Sequence, residues 1–237
     1  MYISEFYGAP GSGKSFLFNH LTKKNKNVEN NKSIFYFYLY KTKKINHFRY
    51  KSLRFLILLN EKIRSNFLLT KLYFKITKNT ENEKKLYFRK ISKKYKVFLK
   101  LYFKYAAKIN DINEKERVKN WIIQNIVGYD IANYKLKNIL LFDSEGFFQR
   151  IFSLYLRVNI EKKDIIKLLR LCPKPKNIFY IVSKKKNISN AKNIGYEQKL
   201  HEIFKICKQS KIKIITINNK KYNISENILK IENIIKL

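Results

Sequence analysis

Eight residues near the start of this 237-residue chain limit its folding choices more than any other stretch. They read Gly8-Ala9-Pro10-Gly11-Ser12-Gly13-Lys14-Ser15, which is G-x-x-x-x-G-K-[ST] in full. A short β-rich run, Tyr2–Tyr7, precedes them, and Phe16-Leu17-Phe18-Asn19-His20-Leu21 continues with helical spacing. Glycines permit a tight loop whose backbone N–H groups turn inward on an anion. The following helix N-terminus adds the positive end of its dipole. In such a loop Lys14 reaches the β- and γ-phosphates of a nucleoside triphosphate, and the Ser15 hydroxyl is placed for Mg²⁺. The expected binding set is Gly8, Ala9, Pro10, Gly11, Ser12, Gly13, Lys14, Ser15 and Phe16. Two residues run against the pattern. Ser4 and Glu5 fall in a strand that, buried on both faces, normally reads as continuous apolar sequence. Glu5 is read as facing the ligand cleft or as marking a different strand register.

A loop of this kind needs a second strand ending in an acid near the metal. Asn138-Ile139-Leu140-Leu141-Phe142-Asp143-Ser144-Glu145-Gly146 fits best, because four apolar residues lead into Asp143. Ligands of open α/β sheets bind at the carboxyl ends of the strands. Asp143 is therefore expected to share Mg²⁺ with Ser15, and Glu145, two residues on, to orient a nucleophile or accept its proton. Ile34–Tyr40, seven apolar or aromatic residues after Asn30-Asn31, reads as another strand. The fold expected is α/β: a P-loop NTPase type, three-layer α/β/α, with a mostly parallel five-stranded sheet and a long helical insertion.

Asp143-Ser144-Glu145-Gly146-Phe147-Phe148-Gln149-Arg150 resembles a stretch of nucleoside-monophosphate kinases of the adenylate/thymidylate kinase type. It resembles still more the D-E-G-F-x-x-R segment of bacterial P-loop kinase-like proteins. Leu171–Val182, Lys213–Asn219 and Asn223–Leu237 resemble their later strands and closing helix. The likeness covers roughly residues 1–40 and 138–237. It implies that Gly8, Gly13, Lys14 and Ser15 bind the triphosphate, that Asp143 holds the metal, and that Arg150 contacts substrate or the transferring phosphate. A guanidinium suits phosphate geometry there. Kinases of this group close an arginine-bearing lid, yet residues 183–199 hold no Arg; they offer Lys184, Lys185, Lys186, Lys192 and Lys199.

Between the two halves of the site, residues 42–137 read as a basic helical insertion on the substrate side of a single domain spanning 1–237. Gly and Pro are almost absent there. Phe88, Ile91, Tyr95, Phe98, Tyr102 and Tyr105 recur at steps of three and four, one face of a long helix that is most economically core. Another helix is expected to start near Asn113, with Glu116 completing a capping box. It would carry Val118, Ile122, Ile126 and Tyr129 on one side, with Trp121 beside them. Thr77–Lys85 is read as an exposed loop, and helix Glu161–Leu171 as ending at Pro173.

The chain has 52 Lys and Arg against 17 Asp and Glu, a net +35. Residues 41–110 hold 21 of those cations and only three acids, about half of the excess. Such charge suits nucleic acid or an anionic membrane. However, an A/T-rich genome would also produce a chain heavy in Lys, Asn, Ile, Phe and Tyr. Hydrophobic residues make up 45%, which excludes a disordered chain. No apolar run is long enough to span a bilayer, no secretory signal is visible, and Cys172 and Cys207 fit no metal spacing. The expected location is cytoplasmic. The expected activity is an ATP-dependent phosphotransferase acting on a small anionic or hydroxyl acceptor, with Lys14, Asp143, Glu145 and Arg150 as its catalytic group. The alternative is an ATPase whose basic region binds nucleic acid or an anionic membrane. Asn218-Asn219-Lys220-Lys221 lacks the Asp of a guanine-reading motif, which disfavours GTP.

Overall fold

Ile3–Tyr7 forms β1, buried at all five positions, in the middle of a parallel sheet. The computed structural model describes residues 3–9, 11–24, 28–29, 33–60, 80–136, 140–143, 145–182, 191–209, 212–219 and 223–235. The other strands are β2 (Val28–Glu29), β3 (Leu140–Asp143), β4 (Asn177–Val182) and β5 (Ile214–Asn218). They lie in the order β2-β3-β1-β4-β5, every neighbouring pair parallel. The register sets Glu5 opposite Asp143 on one side and Ile178 on the other. Period-2 alternation then sends Ile3 and Tyr7 to one core and Phe6 to another. The Phe6 core is closed by α1 (Lys14–Lys24) and α10 (Ile224–Ile235), through Leu17, Leu21 and Ile231. The larger core takes α2 (Ile34–Lys41), α3 (His47–Asn60), α4 (residues 80–91), α5 (Lys96–Ala106), α6 (Ile112–Tyr134), α7 (Phe147–Arg157), α8 (Lys162–Leu171) and α9 (Ala191–Gln209).

The fold class expected from the sequence is corrected. The expectation was a three-layer α/β/α P-loop fold with a mostly parallel five-stranded sheet and a long helical insertion, whereas the protein is mostly helical, helix occupying 71% of the described residues. The sheet is small: only β1, β4 and β5 reach five or six residues, β3 has four, and β2 is a two-residue stub. The largest single error is Ile34–Tyr40. It is helix α2, with Ile34, Phe35, Tyr36 and Leu39 buried. A short apolar run buried on most sides carries no period that separates strand from helix. Here it is enclosed by neighbouring helices, and Val28–Glu29 holds the strand position beside β3.

Three smaller corrections concern the helical stretch. Thr77–Lys85 is not an exposed loop where described: residues 80–85 open α4 and Thr80 is buried, while 77–79 lie outside the described residues. The stripe from Phe88 to Tyr105 does not ride one long helix. A 3₁₀ turn, Ser92–Tyr95, separates α4 from α5, where the Ser92 hydroxyl donates to Arg89 O at 3.0 Å. Its apolar face nevertheless stays inside, with Ile91, Phe98, Tyr102 and Tyr105 buried and the intervening lysines at 93, 94, 96, 100 and 104 exposed. Finally, the cap of α6 is Asp111, whose carboxylate accepts from Glu114 N at 2.7 Å, two residues ahead of the expected pair. Among the described residues no helix is long and apolar enough to cross a membrane.

Candidate functional site: a cradled loop and a capped helix

The loop leaving β1 turns through glycines at φ +153° (Gly8), +76° (Gly11) and +93° (Gly13) and enters α1 at Lys14. Gly13 suits this position on two counts: its backbone is left-handed, and a Cβ there would displace the side-chain amide of Asn219. That amide donates to Ser12 O at 2.8 Å and so ties the loop to the end of β5. On the opposite side Gly8 N donates to Gln149 Oε1 of α7 at 3.1 Å. Lys14 folds back over the loop, its Nζ donating to Gly8 O and Ala9 O, both at 2.7 Å. Burial lowers its pKa to about 8, and the nearby Glu145 carboxylate opposes that shift. Ser12 Oγ is buried with no hydrogen-bond partner among the described residues. Ser15 and Phe16 are exposed on the first turn of α1. Pro10 lies outside the described residues.

Glu5 has a role the sequence reading did not find. It shares a face of β1 with Ile3 and Tyr7, and its buried carboxylate accepts from Phe147 N at 2.7 Å and Phe148 N at 2.9 Å. It caps the first turn of α7 from another element, supplying the acceptor that the N-cap residue, Gly146, lacks. Any Cβ on Gly146 would meet that carboxylate. Helix α7 thereby starts at a set distance from the loop, which brings Gln149 onto Gly8 and places Arg150 one turn in.

Arg150 is buried, and its Nη2 donates to Glu145 Oε2 at 2.6 Å. The Glu145 backbone is held by Asn125 of α6, whose Nδ2 donates to Glu145 O at 3.1 Å. Lys14, Glu145 and Arg150 therefore share one electrostatic neighbourhood. Asp143 ends β3 opposite Glu5, at the carboxyl edge of the sheet; its side chain lies outside the described residues. So do Lys184, Lys185 and Lys186. Lys192 belongs to α9 by its backbone. Lys199 is on α9 too and donates to Tyr155 O at 3.2 Å, against α7 rather than in a lid.

Gln149, Asn219 and Asn125 were not singled out as site residues from sequence, and Glu5, read as facing the ligand cleft or marking a different strand register, caps α7. Gln149 and Arg150 are neighbours in the same stretch, so position one turn into a helix starting at Gly146 was the one available signal. Asn219 comes from more than 200 residues away, and only the sheet brings it to Ser12. Among the described residues no group of His, Cys, Asp and Glu forms a ready metal cage. No protein-family model matches the chain, and no curated protein matches it.

Proposed function

We propose that the chain is an ATP-dependent phosphotransferase whose triphosphate lies on Gly8–Ser15. The observation that carries this reading is the loop itself. It is a glycine-built turn at a helix N-terminus, clamped at Gly8 and at Ser12, with a lysine ammonium lying over it and a buried hydroxyl, Ser12 Oγ, that has no partner among the described residues. A helix N-terminus and a poorly hydrated ammonium beside it favour polyphosphate. Ser15 and Asp143 offer the hydroxyl and carboxylate oxygens that Mg²⁺ takes, and the ion, when bound, would neutralise phosphate charge.

Lys14 swings from its carbonyl contacts to the β- and γ-phosphates. An acceptor oxygen attacks the γ-phosphorus, the bond from that phosphorus to the bridging oxygen breaks, and ADP leaves with the electron pair. Where the acceptor is a hydroxyl, Glu145 receives its proton. Arg150 balances charge on the transferring group from beside Glu145. The likeness of Asp143–Arg150 to kinase sequences supports transfer over simple hydrolysis. Both cysteines are free and buried, and burial raises the Cys172 thiol well above its usual range and Cys207 to about 12. Such inert thiols are in keeping with a cytoplasmic protein.

The test is ADP release measured alone and against a panel of nucleosides, nucleotides and sugars. Release that depends on an acceptor supports the reading; equal release without any acceptor makes the chain an ATPase. Lys14→Ala should abolish turnover while leaving the far-UV circular dichroism unchanged, and retained turnover would refute the phosphate-site assignment.

A further inference from the structure

Helix α3 carries two phenylalanines on its outer face. Tyr50 and Leu53 are buried and hold the helix to the larger core. Phe48 and Phe55 lie two turns apart, so they share one face, and that face is turned away from the core. Phe48 is 80% exposed, the highest value for any large apolar side chain among the described residues, and Phe55 is 60% exposed. At 1.5 Å per residue the two positions stand about 10 Å apart along the helix axis. Lys51 sits between them and is exposed as well. Apolar side chains scattered singly over a surface are ordinary; two in register on the outer face of one helix form a patch.

The surroundings of the patch are basic. Residues 30–60 hold seven Lys and Arg and no Asp or Glu. Lys44 pairs with Glu83 at 2.8 Å, and Arg54 reaches Glu29 at 3.6 Å. Lys41, Lys43, Arg49 and Lys51 have no acidic partner among the described residues. Lys43 fills the left-handed turn position after α2, at φ +58°, where glycine is usual. Ring contacts fix the corner between α2 and α3. Tyr40 stacks on Tyr50 with centroids 5.1 Å apart and planes at 10°, and His47 packs on Tyr40 at 5.4 Å. The corner therefore presents cations and phenylalanines together on a preformed surface.

Charge and apolarity together select the occupant. A second copy of the chain would set the same unpaired cations against each other, which opposes self-association through this face. A nucleic-acid duplex is held by cations on its phosphates, and two outward rings add nothing to that hold. An anionic bilayer takes both features. Its headgroups meet the Lys and Arg side chains, while the rings enter the boundary between headgroups and acyl chains.

We propose that the α2–α3 corner docks the protein on an anionic lipid bilayer, with Phe48 and Phe55 inserted at the interface and Lys41, Lys43, Arg49 and Lys51 on the headgroups. The contact is peripheral, for no helix among the described residues is long and apolar enough to cross a membrane. It uses none of the residues of the triphosphate loop and stands whether or not the chain transfers phosphate.

For the test, the full chain is sedimented with sucrose-loaded vesicles of phosphatidylcholine, alone or mixed with phosphatidylglycerol. Binding to the mixed vesicles only is expected. Phe48→Ser and Phe55→Ser should each weaken it about fivefold or more. Lys51→Gln should weaken it about fivefold. Both rings stand in solvent, so the serine variants should keep the wild-type Tm. Leu229→Ser, on α10 and 56% exposed, is the control and should bind as the wild type does. Binding untouched by either phenylalanine variant reduces the effect to adsorption of a polycation and overturns the proposal. Equal binding to phosphatidylcholine alone, or a loss in Leu229→Ser as large as that in Phe48→Ser, overturns it too. Two further readouts address the other occupants. If a fluorescent single-stranded oligonucleotide binds, loses affinity in the phenylalanine variants, and vesicles do not bind, the corner is a nucleic-acid face. If the chain is a dimer at sedimentation equilibrium and Phe48→Ser is a monomer, the corner is an interface between copies. Either result overturns the bilayer.

Discussion

Glu5 and Lys14 are charged residues in buried settings, and each is held there by a definite partner. For Glu5 the partners are the Phe147 and Phe148 amides. Glu5→Gln keeps the shape but turns two charge-assisted bonds into one neutral one and sets an N–H₂ against an N–H. We expect a loss of about 1.5–3 kcal/mol, read as a lower urea midpoint. Lys14 gives a pH prediction. Its pKa is lowered to about 8, because burial disfavours the ammonium more than Glu145 supports it. A triphosphate needs the ammonium. Below about 8 the lysine is already charged and ATP affinity should be flat; above it, binding must first take up a proton and should weaken by up to about tenfold per pH unit. Titrating a fluorescent ATP analogue one unit either side of that midpoint checks the sign. Glu145→Gln removes the carboxylate that raises the Lys14 pKa, so the midpoint should move down in pH.

At the scale of elements, α7 is the piece that converts a strand position into a site. Its start is set by the approach of Gly146 to Glu5, so Gly146→Ala must push the carboxylate off the helix amides. The expected cost is about 2 kcal/mol or more, together with weaker ATP binding because Gln149 leaves Gly8. A second joint ties α4 and the 3₁₀ turn to α6. Asp130, fully buried, accepts from Tyr87 at 2.7 Å, Lys94 at 3.0 Å and Tyr95 at 3.3 Å. Burial and this carboxylate push both tyrosine pKa values up, so the phenols stay protonated donors. Asp130→Leu should leave them unsatisfied and speed amide hydrogen exchange across residues 80–95, while exchange in β1 stays slow. The α2 segment shows why elements are harder to read than residues. Ile34–Tyr40 is rich in aromatics, suits a strand by preference, and becomes helix because what surrounds it is helical. The break at Ser92 was equally hidden, since the apolar steps of three and four run straight through it.

For the whole molecule the dominant quantity is the +35 charge. Self-repulsion on that scale opposes the folded state and is screened by salt. Raising ionic strength from about 0.05 to 0.2 M should therefore raise Tm, each 1 kcal/mol recovered showing as about 2–4 °C in a chain of this size. An unchanged Tm would mean the lysines are spread too widely over the surface to feel one another. The sequence alone determined the glycine-built turn between β1 and α1, because the glycines of Gly8–Ser15 act through backbone geometry that is local to eight residues. It also determined that Asp143, Glu145 and Arg150 belong near one strand end, because they are neighbours in the chain. Only the tertiary structure decided that the chain is mostly helical around a small sheet, that Glu5 caps α7, and that Asn219 closes the loop. Each of those depends on contacts between residues far apart in sequence. Which strands pair and where helices cross set such contacts, and neither leaves a local pattern in the chain of the kind that burial leaves.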